Sequence, residues 1–459
     1  MSSYLISDLP RTVPAVHTAH RRIATAIPAV GTQQILAEIA RRESQSMHSQ
    51  LPIVWDRAEG HSVFDLAGNK WIDFTSTIFV ANIGHANPQL IEALSDSLRH
   101  GLLHSYTYAT RIRTDYVAKL VDFAGSPFDK AFLLSAGTEA VEATMKLMRM
   151  HGQRLGKRRL GIVCLEGNYH GRTMGAQMMT GNPGQRAWIG HMDPDIHHLP
   201  FPYPEALGGS TGEAFLEASL AALMERGIDP HRDICGVMLE TFQGWGAIFY
   251  PTDYVQAFEK FCRGHDILLA FDEMQAGFAR TGRTFGYRHY DVEPDLLCCG
   301  KGMGSGLPLS GVLGRGDIMD LPQQGDMSST HSANPLCCAA GLKTIEEIER
   351  LDLVRETERK GRLFFDRLNG IRARHPDRIA HVFGRGLIAA LVTRHPDSGR
   401  ADAEFASRVS ERCMQKGLLV VHTGRESIKL GPPLTIPDDA LLEGVDTLGE
   451  VFDEVAGEA

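Results

Sequence analysis

Two side chains of opposite charge stand at the ends of two apolar runs. Ile267-Leu268-Leu269-Ala270-Phe271 ends in Asp272-Glu273, and Leu296-Leu297-Cys298-Cys299 ends in Gly300-Lys301, within the glycine-rich stretch Gly300 to Gly306. A buried parallel strand delivers its last side chains to the crevice at its C-terminal edge, so this pattern sets a carboxylate and an amine at two strand ends. Such a pair can grip the two ends of one ligand, the amine by a covalent bond to a carbonyl and the carboxylate by holding a proton on a ring nitrogen.

Three more segments offer polar groups at strand ends. Ser135-Ala136-Gly137-Thr138-Glu139 follows the run Ala131 to Leu134 and opens a helix. Backbone N–H groups at a helix start carry partial positive charge, so Gly137 and Thr138 have the form of a phosphate cup. Starts of this kind are common, and alone the segment is a weak sign. Asn168-Tyr169-His170-Gly171-Arg172-Thr173 offers a ring to stack on a planar ligand and a fork for a carboxylate, although a turn with a surface arginine explains it equally well. Glu240, ahead of Gln243-Gly244-Trp245, suits a helix cap, as Asp272 does. Two such carboxylates in succession before a glycine-framed lysine favour a site.

Competing readings of the lysine fail on single positions. A P-loop needs glycine at 295 and Ser or Thr at 302, where Asp295 and Gly302 stand. A dinucleotide fingerprint from Gly302 needs glycine where Leu307 stands. The histidines, His197-His198 included, lack metal-ligand spacing. The pair that remains fits pyridoxal 5'-phosphate (PLP), whose aldehyde forms a Schiff base with lysine and whose ring nitrogen needs an anionic partner to stay protonated.

The elements that must position these groups alternate in type. Apolar runs at Ala131 to Leu134, Gly161 to Leu165, Cys235 to Leu239, Ile267 to Phe271 and Leu296 to Cys299 are separated by helical patterns such as Glu139 to Met150 and Tyr254 to Gly264. That rhythm predicts a mostly parallel sheet covered by helices on both faces. Before it, residues up to about Val54 read as an oligomer-facing arm with a helix from Thr32 to Arg42, and Val63 to Phe74 as a hairpin turning at Gly68-Asn69. After it, helices from Leu336 to Glu349 and Leu353 to Ile371 lead to short strands at Leu387 to Val392 and Leu418 to Val421 and a helix from Asp438. The expected division is 1–76, an arm and part of a small domain; 77–340, a large domain; and 341–459, a smaller α+β domain.

With 459 residues, 22% charged and 43% hydrophobic, the composition is ordinary for a globular protein. A net charge of -9 argues against nucleic-acid binding, leaving small molecules as the expected partners. Met1 to Pro10 lacks the pattern of a secretion signal, no run of about 18 apolar residues predicts a membrane helix, and eight cysteines without CxxC spacing fit free thiols in the cytoplasm.

Taken in order, Asp272-Glu273-Met274-Gln275-Ala276-Gly277-Phe278, the Lys301 segment, the Ser135 to Glu139 cup, Tyr169 to Thr173, Glu240 with Gln243-Gly244, Ser329-Thr330-His331 and Pro432-Pro433 resemble the signature of class III aminotransferases, PLP enzymes of fold type I. The resemblance runs from about Trp55 to about Val451. It implies an α/β fold with a seven-stranded, mostly parallel sheet. It implies that Lys301 carries the cofactor, Asp272 pairs with the ring nitrogen, and Gly137 and Thr138 bind phosphate. Tyr169 would stack on the ring, Gln275 would lie near the ring hydroxyl with Glu240 close by, and His170 and Ser329 would adjoin the cofactor. Thr330 would reach the phosphate of the neighbouring subunit, making a homodimer with active sites at the subunit interface. The implied reaction is ping-pong transfer of an amino group between a small amine and an oxo acid.

Two positions depart from ornithine- and γ-aminobutyrate-type members. Where those have a carboxylate-binding arginine and a glutamate that neutralises it, this chain has Lys429 and Trp245. Lysine lacks the planar fork. The changes point to a primary amine away from an ordinary α-amino acid centre: an ω-amino acid, a diamine or an amino sugar. The mobile arginine of amine transaminases falls on His422, with Arg425 three residues on. Thr77, Ile78 and Phe79 are expected on the substrate side with Trp245, and Arg172 is a candidate for a distal carboxylate. Alternatives left open are a PLP-dependent epimerase, racemase or aminomutase on the same fold, and a nucleotide-binding oxidoreductase or non-catalytic binding protein on a doubly wound sheet.

Overall fold

A computed structural model describes residues 6–47 and 50–458. Residues 1–5, on which the reading of the N-terminus partly falls, lie outside them. The chain forms two compact units, one from residues up to Pro88, Trp245–Ala247 and Asp352 onward, the other from Gln89–Gly244 and Ile248–Leu351.

The second unit is built on a seven-stranded sheet. Its order is Lys130–Leu134, Ser310–Gly314, Leu296–Cys299, Leu268–Asp272, Ile234–Glu240, Gly161–Leu165 and Ile196–Leu199. Ser310–Gly314 runs antiparallel to both neighbours, and the other pairs are parallel. Every residue of the Gly161–Leu165, Ile234–Glu240, Leu268–Asp272 and Leu296–Cys299 strands is buried. Continuous apolar strands are what a parallel sheet covered on both faces requires. The parallel register sets Asp272 opposite Glu240 on one side and Cys298 on the other, so the carboxylates and the lysine after Cys299 arrive at one edge.

Two strands of this sheet escape a pattern search. Ser310–Gly314 contains two glycines, and Ile196–Leu199 carries two histidines in its middle.

The first unit holds a path of strands Val16–His17, Arg22–Ile23, Lys70–Asp73, Ser62–Asp65 and Trp55–Glu59, with Leu418–Leu419 added in parallel to Lys70–Asp73. The expected hairpin forms, with Val63 opposite Trp71. Arg22 pairs with Lys70, and Ile23 and Ile27 are buried with Trp71 and Met414 because apolar side chains there gain more from burial than from solvent. The helix Thr32–Arg42 matches its expected range. A second, antiparallel sheet contains Ile379–Arg385, Ile388–Thr393, Ser427–Leu430 and Val421–His422. The helices Leu353–Arg374, Ala403–Gln415 and Asp438–Gly457 belong to the same unit.

Candidate active site

At the strand ends of the second unit lies a cavity of about 310 Å³ lined by Gly137, Thr138, Tyr169, His170, Arg172, Glu240, Asp272, Gln275 and Lys301, among others. Lys301 begins a single helical turn, Lys301–Met303, closed by Met303 N–H donating to the Gly300 carbonyl at 2.9 Å. Its φ of +37° is in the left-handed region, a conformation that costs an L side chain energy and recurs where function fixes the backbone. Gly300 precedes it because a Cβ there would meet Met274 Sδ at 2.5 Å. Burial pulls the Lys301 amine below the usual lysine range, and Asp272 and Glu240 partly offset that. A lysine so depressed supplies more neutral amine, the form that attacks a carbonyl.

Asp272 is oriented from two sides. Its Oδ1 accepts from Met274 N–H at 3.1 Å, and its Oδ2 lies 2.9 Å from His170 Nδ1. The other ring nitrogen, His170 Nε2, is buried without a protein hydrogen-bond partner. Glu240 Oε2 accepts from the N–H groups of Tyr169 and Gly244, both at 3.2 Å. Its carboxyl is pushed up to about 7 by burial, with His170 opposing the rise and Asp272 adding to it. Glu273 does not line the cavity. It accepts from Thr241 Oγ1 at 2.5 Å, Gly286 N–H at 2.8 Å and Tyr287 N–H at 2.6 Å, which ties the segment after the Asp272 strand in place.

The expected cup is a helix N-terminus, Gly137–Arg154. Glu139 Oε2 occupies the N–H groups of Ser135 and Ala136 at 2.9 Å each. Helix geometry leaves Gly137 and Thr138 N–H without intrahelical acceptors. A Cβ at Gly137 would meet Met274 Sδ at 2.8 Å, so the same methionine excludes side chains from both the lysine turn and the cup. Thr138 Oγ1 is 2.6 Å from Thr173 Oγ1, which donates to Glu142 at 2.6 Å, joining the cup to the Tyr169 segment. The Arg172 guanidinium stands 5.6 Å from the centre of the Tyr169 ring.

A cofactor with an aldehyde, a ring nitrogen and a phosphate fits these residues: an amine, an oriented carboxylate and a bare helix start open into one cavity beside a partly exposed aromatic ring. Met274 is a contributor that the sequence did not single out, and His170, expected beside the cofactor, acts through a contact with Asp272 that joins residues about a hundred positions apart. Ser329 and Thr330 do not line this cavity. The Thr330 carbonyl accepts from His104 Nε2 at 2.8 Å.

Seven of the residues expected on the substrate side, all but Arg172, belong to the first unit. Ser76, Thr77, Ile78 and Phe79 have φ of +45°, +53°, +63° and +69°, a left-handed turn made without glycine. Ser76 Oγ donates to the Gly431 carbonyl at 2.6 Å, and Ile78 lines an apolar cavity of about 250 Å³ with Leu51, Ile53, Trp55 and Leu419. Lys429 Nζ lies 4.4 Å from the centre of the Phe79 ring. His422 Nε2 is 2.9 Å from Ser407 Oγ. Trp245 lies under the guanidinium of Arg425. Among the described residues, no cluster of three or more His, Cys, Asp or Glu is arranged to hold a metal, and no helix is long and apolar enough to cross a membrane.

A doubly wound sheet with lysine and aspartate at adjoining strand ends and a helix start lining the same cavity defines a transferase fold of the PLP type. The sequence profile of the class-III aminotransferases matches residues 44–452, and the chain belongs to that family. Among its relatives, the 4-aminobutyrate aminotransferase of Mycobacterium tuberculosis is 32% identical, over 93% of this chain and 96% of the relative. The acetylornithine aminotransferase of Archaeoglobus fulgidus is 33% identical, over 87% and 96%. A thermostable (S)-enantioselective omega-transaminase from Thermomicrobium roseum superposes with a TM-score of 0.83 at 26% identity, over 93% of this chain and 98% of that one. The protein is a PLP-dependent aminotransferase.

Proposed function

We propose that this aminotransferase takes its amino group from a primary amine lacking an ordinary α-amino acid centre, an ω-amino acid, diamine or amino sugar, and passes it to an oxo acid such as 2-oxoglutarate or pyruvate. The observation that carries the reading is the cavity in which Lys301, Asp272 and Glu240 converge. Names of relatives support ω-amino substrates, and the replacement of the carboxylate-binding arginine by Lys429 supports a donor not held by an α-carboxylate fork.

PLP, when bound, supplies an electron sink that stabilises negative charge at the substrate carbon. Lys301 would anchor it, and its amine would take up and return the substrate proton. Asp272, held by His170 and the Met274 N–H, keeps a proton on the ring nitrogen. Gly137 and Thr138 would hold the phosphate, and Tyr169 would cover one face of the ring; Glu240, Gln275 and His170 would complete the surroundings. Ile78, Phe79, Arg172, Trp245, His422, Arg425 and Lys429 face the substrates.

The working unit is a homodimer in which Thr330 completes the partner's phosphate site. Exposure of Leu103 and Tyr108, at 53% and 79%, on the loop whose His104 holds Thr330, supports this assignment. All eight cysteines are free and buried, in keeping with a cytoplasmic enzyme. The large domain is taken as 77–340, flanked by 1–76 and 341–459.

Borohydride reduction of the holoenzyme followed by peptide mapping is expected to place a pyridoxyl group on Lys301. A label on another lysine would overturn the site. Absence of any amine-driven spectral change in the holoenzyme would overturn the donor class.

A further inference from the structure

The helix that opens at the cup, Gly137–Arg154, sends two glutamates to nearby backbone. Glu139 takes the N–H groups of Ser135 and Ala136. Glu142, a turn further on, reaches a different segment. Its Oε1 accepts from Thr173 Oγ1 at 2.6 Å, Gly175 N–H at 2.9 Å and Ala176 N–H at 3.1 Å, at the start of the short helix Met174–Met179. Gly175 gives the carboxylate room, because a Cβ there would meet Glu142 Oε2 at 2.5 Å.

A carboxylate only accepts, so the Thr173 hydroxyl hydrogen is spent on Glu142. In the 2.6 Å pair between Thr138 Oγ1 and Thr173 Oγ1 the donor is therefore Thr138, and Thr138 Oγ1 accepts in turn from Thr173 N–H at 3.2 Å. Gly171 confines the same hydroxyl: a Cβ at that residue would meet Thr138 Oγ1 at 2.4 Å. The other end of the Tyr169–Thr173 segment is held by other groups. Tyr169 N–H binds Glu240, and His170 N–H donates to Thr180 Oγ1 at 3.0 Å. Glu142 thus acts on the end that touches the cup, and the end that carries the ring-covering tyrosine does not depend on it.

Resting on the reading of Gly137 and Thr138 as the phosphate site, we infer that Glu142 is a positioning residue for the cofactor phosphate, acting through Thr173 on Thr138. Groups ordered before an anion arrives need not be ordered by it, and the difference appears as affinity. Without the Glu142 carboxylate, Thr173 Oγ1 and two N–H groups lose their acceptor, the Thr173–Ala176 turn loosens, and Thr138 samples other rotamers. The loss falls on the phosphate. It spares the aldehyde and the ring, which answer to Lys301, Asp272 and Tyr169.

The full-length chain is refilled with PLP or with pyridoxal, which has the same ring and aldehyde and no phosphate, and dissociation constants are read from the Schiff-base absorbance. Glu142→Ala and Thr173→Val are expected to weaken PLP binding about tenfold, the effect of unpairing hydrogen-bonded groups, and to change pyridoxal binding less than about twofold. Glu142→Gln, whose amide oxygen still accepts, and Thr173→Ser, which keeps the hydroxyl, recover most of that loss. The phosphorus NMR resonance of the bound cofactor, which reads hydrogen bonding at the phosphate oxygens, moves in Glu142→Ala and stays in place in Thr173→Ser. Equal weakening of PLP and pyridoxal, or unchanged PLP binding in Glu142→Ala, overturns the inference and leaves the aminotransferase reading intact. A wild-type chain that forms no Schiff base with PLP overturns that reading instead.

Discussion

Lys301 and Asp272 can be picked out before any fold is known because each ends an apolar run and both answer to the same ligand chemistry. What the chain order hides is the orientation of Asp272, which depends on His170 arriving from a different strand end. Replacing Asp272 with Asn keeps the shape and removes the charge that holds the ring proton. The amine half-reaction of Asp272→Asn is expected to slow by about a hundredfold or more with cofactor still bound, as single preorganised charges in enclosed sites are worth; stopped-flow absorbance measures it. His198 carries a separate prediction about stability. Burial and the nearby Arg186 push its imidazole from 6.5 down to about 4. The unfolded chain therefore takes up the proton first as pH falls. The stability contribution is complete above about 6.5 and is lost as pH falls towards 4. Urea unfolding at pH about 7 and about 4.5 is expected to show a loss smaller in His198→Gln than in the wild type, by on the order of 2 kcal/mol.

Among the elements, the left-handed turn Ser76–Phe79 was the least legible. Glycine announces such a backbone, and here Ser, Thr, Ile and Phe adopt it because tertiary contacts impose it: Ser76 binds the Gly431 carbonyl, and Phe79 packs where a Cβ on Gly431 would come within 2.4 Å of its ring. The left-handed helix costs roughly 1–2 kcal/mol per L residue, less for asparagine. Thr77 is exposed, so Thr77→Asn is expected to raise stability by about 0.5–1 kcal/mol, read as a higher denaturant midpoint at unchanged slope. Helices and parallel strands fared better in the sequence because burial on both faces writes itself as long apolar runs. Ser310–Gly314 and Ile196–Leu199 did not show, one thinned by glycine and the other interrupted by His197-His198.

For the whole molecule, the seven-stranded sheet and the family were legible in the order of motifs, whereas contacts that join distant segments were not. The stacking of Arg425 on Trp245 links residues separated by most of a domain, and no local spacing foretells it. Dimerisation belongs to this scale. Sedimentation of the holoenzyme at micromolar concentration is expected to give twice the chain mass, and Thr330→Ala to weaken cofactor retention at least tenfold in the dimer; a monomer with full retention would refute the assignment. The pairing of Leu418–Leu419 with Ile72–Asp73 has a consequence for biosynthesis. While the nascent chain is still emerging, the unit ending at Leu351 has all its strands and can settle, but the Ile72–Asp73 end of its strand, past the Arg22 pairing at Lys70, must wait for its partner until translation has passed Leu419. That waiting edge is where a chaperone would have most to protect.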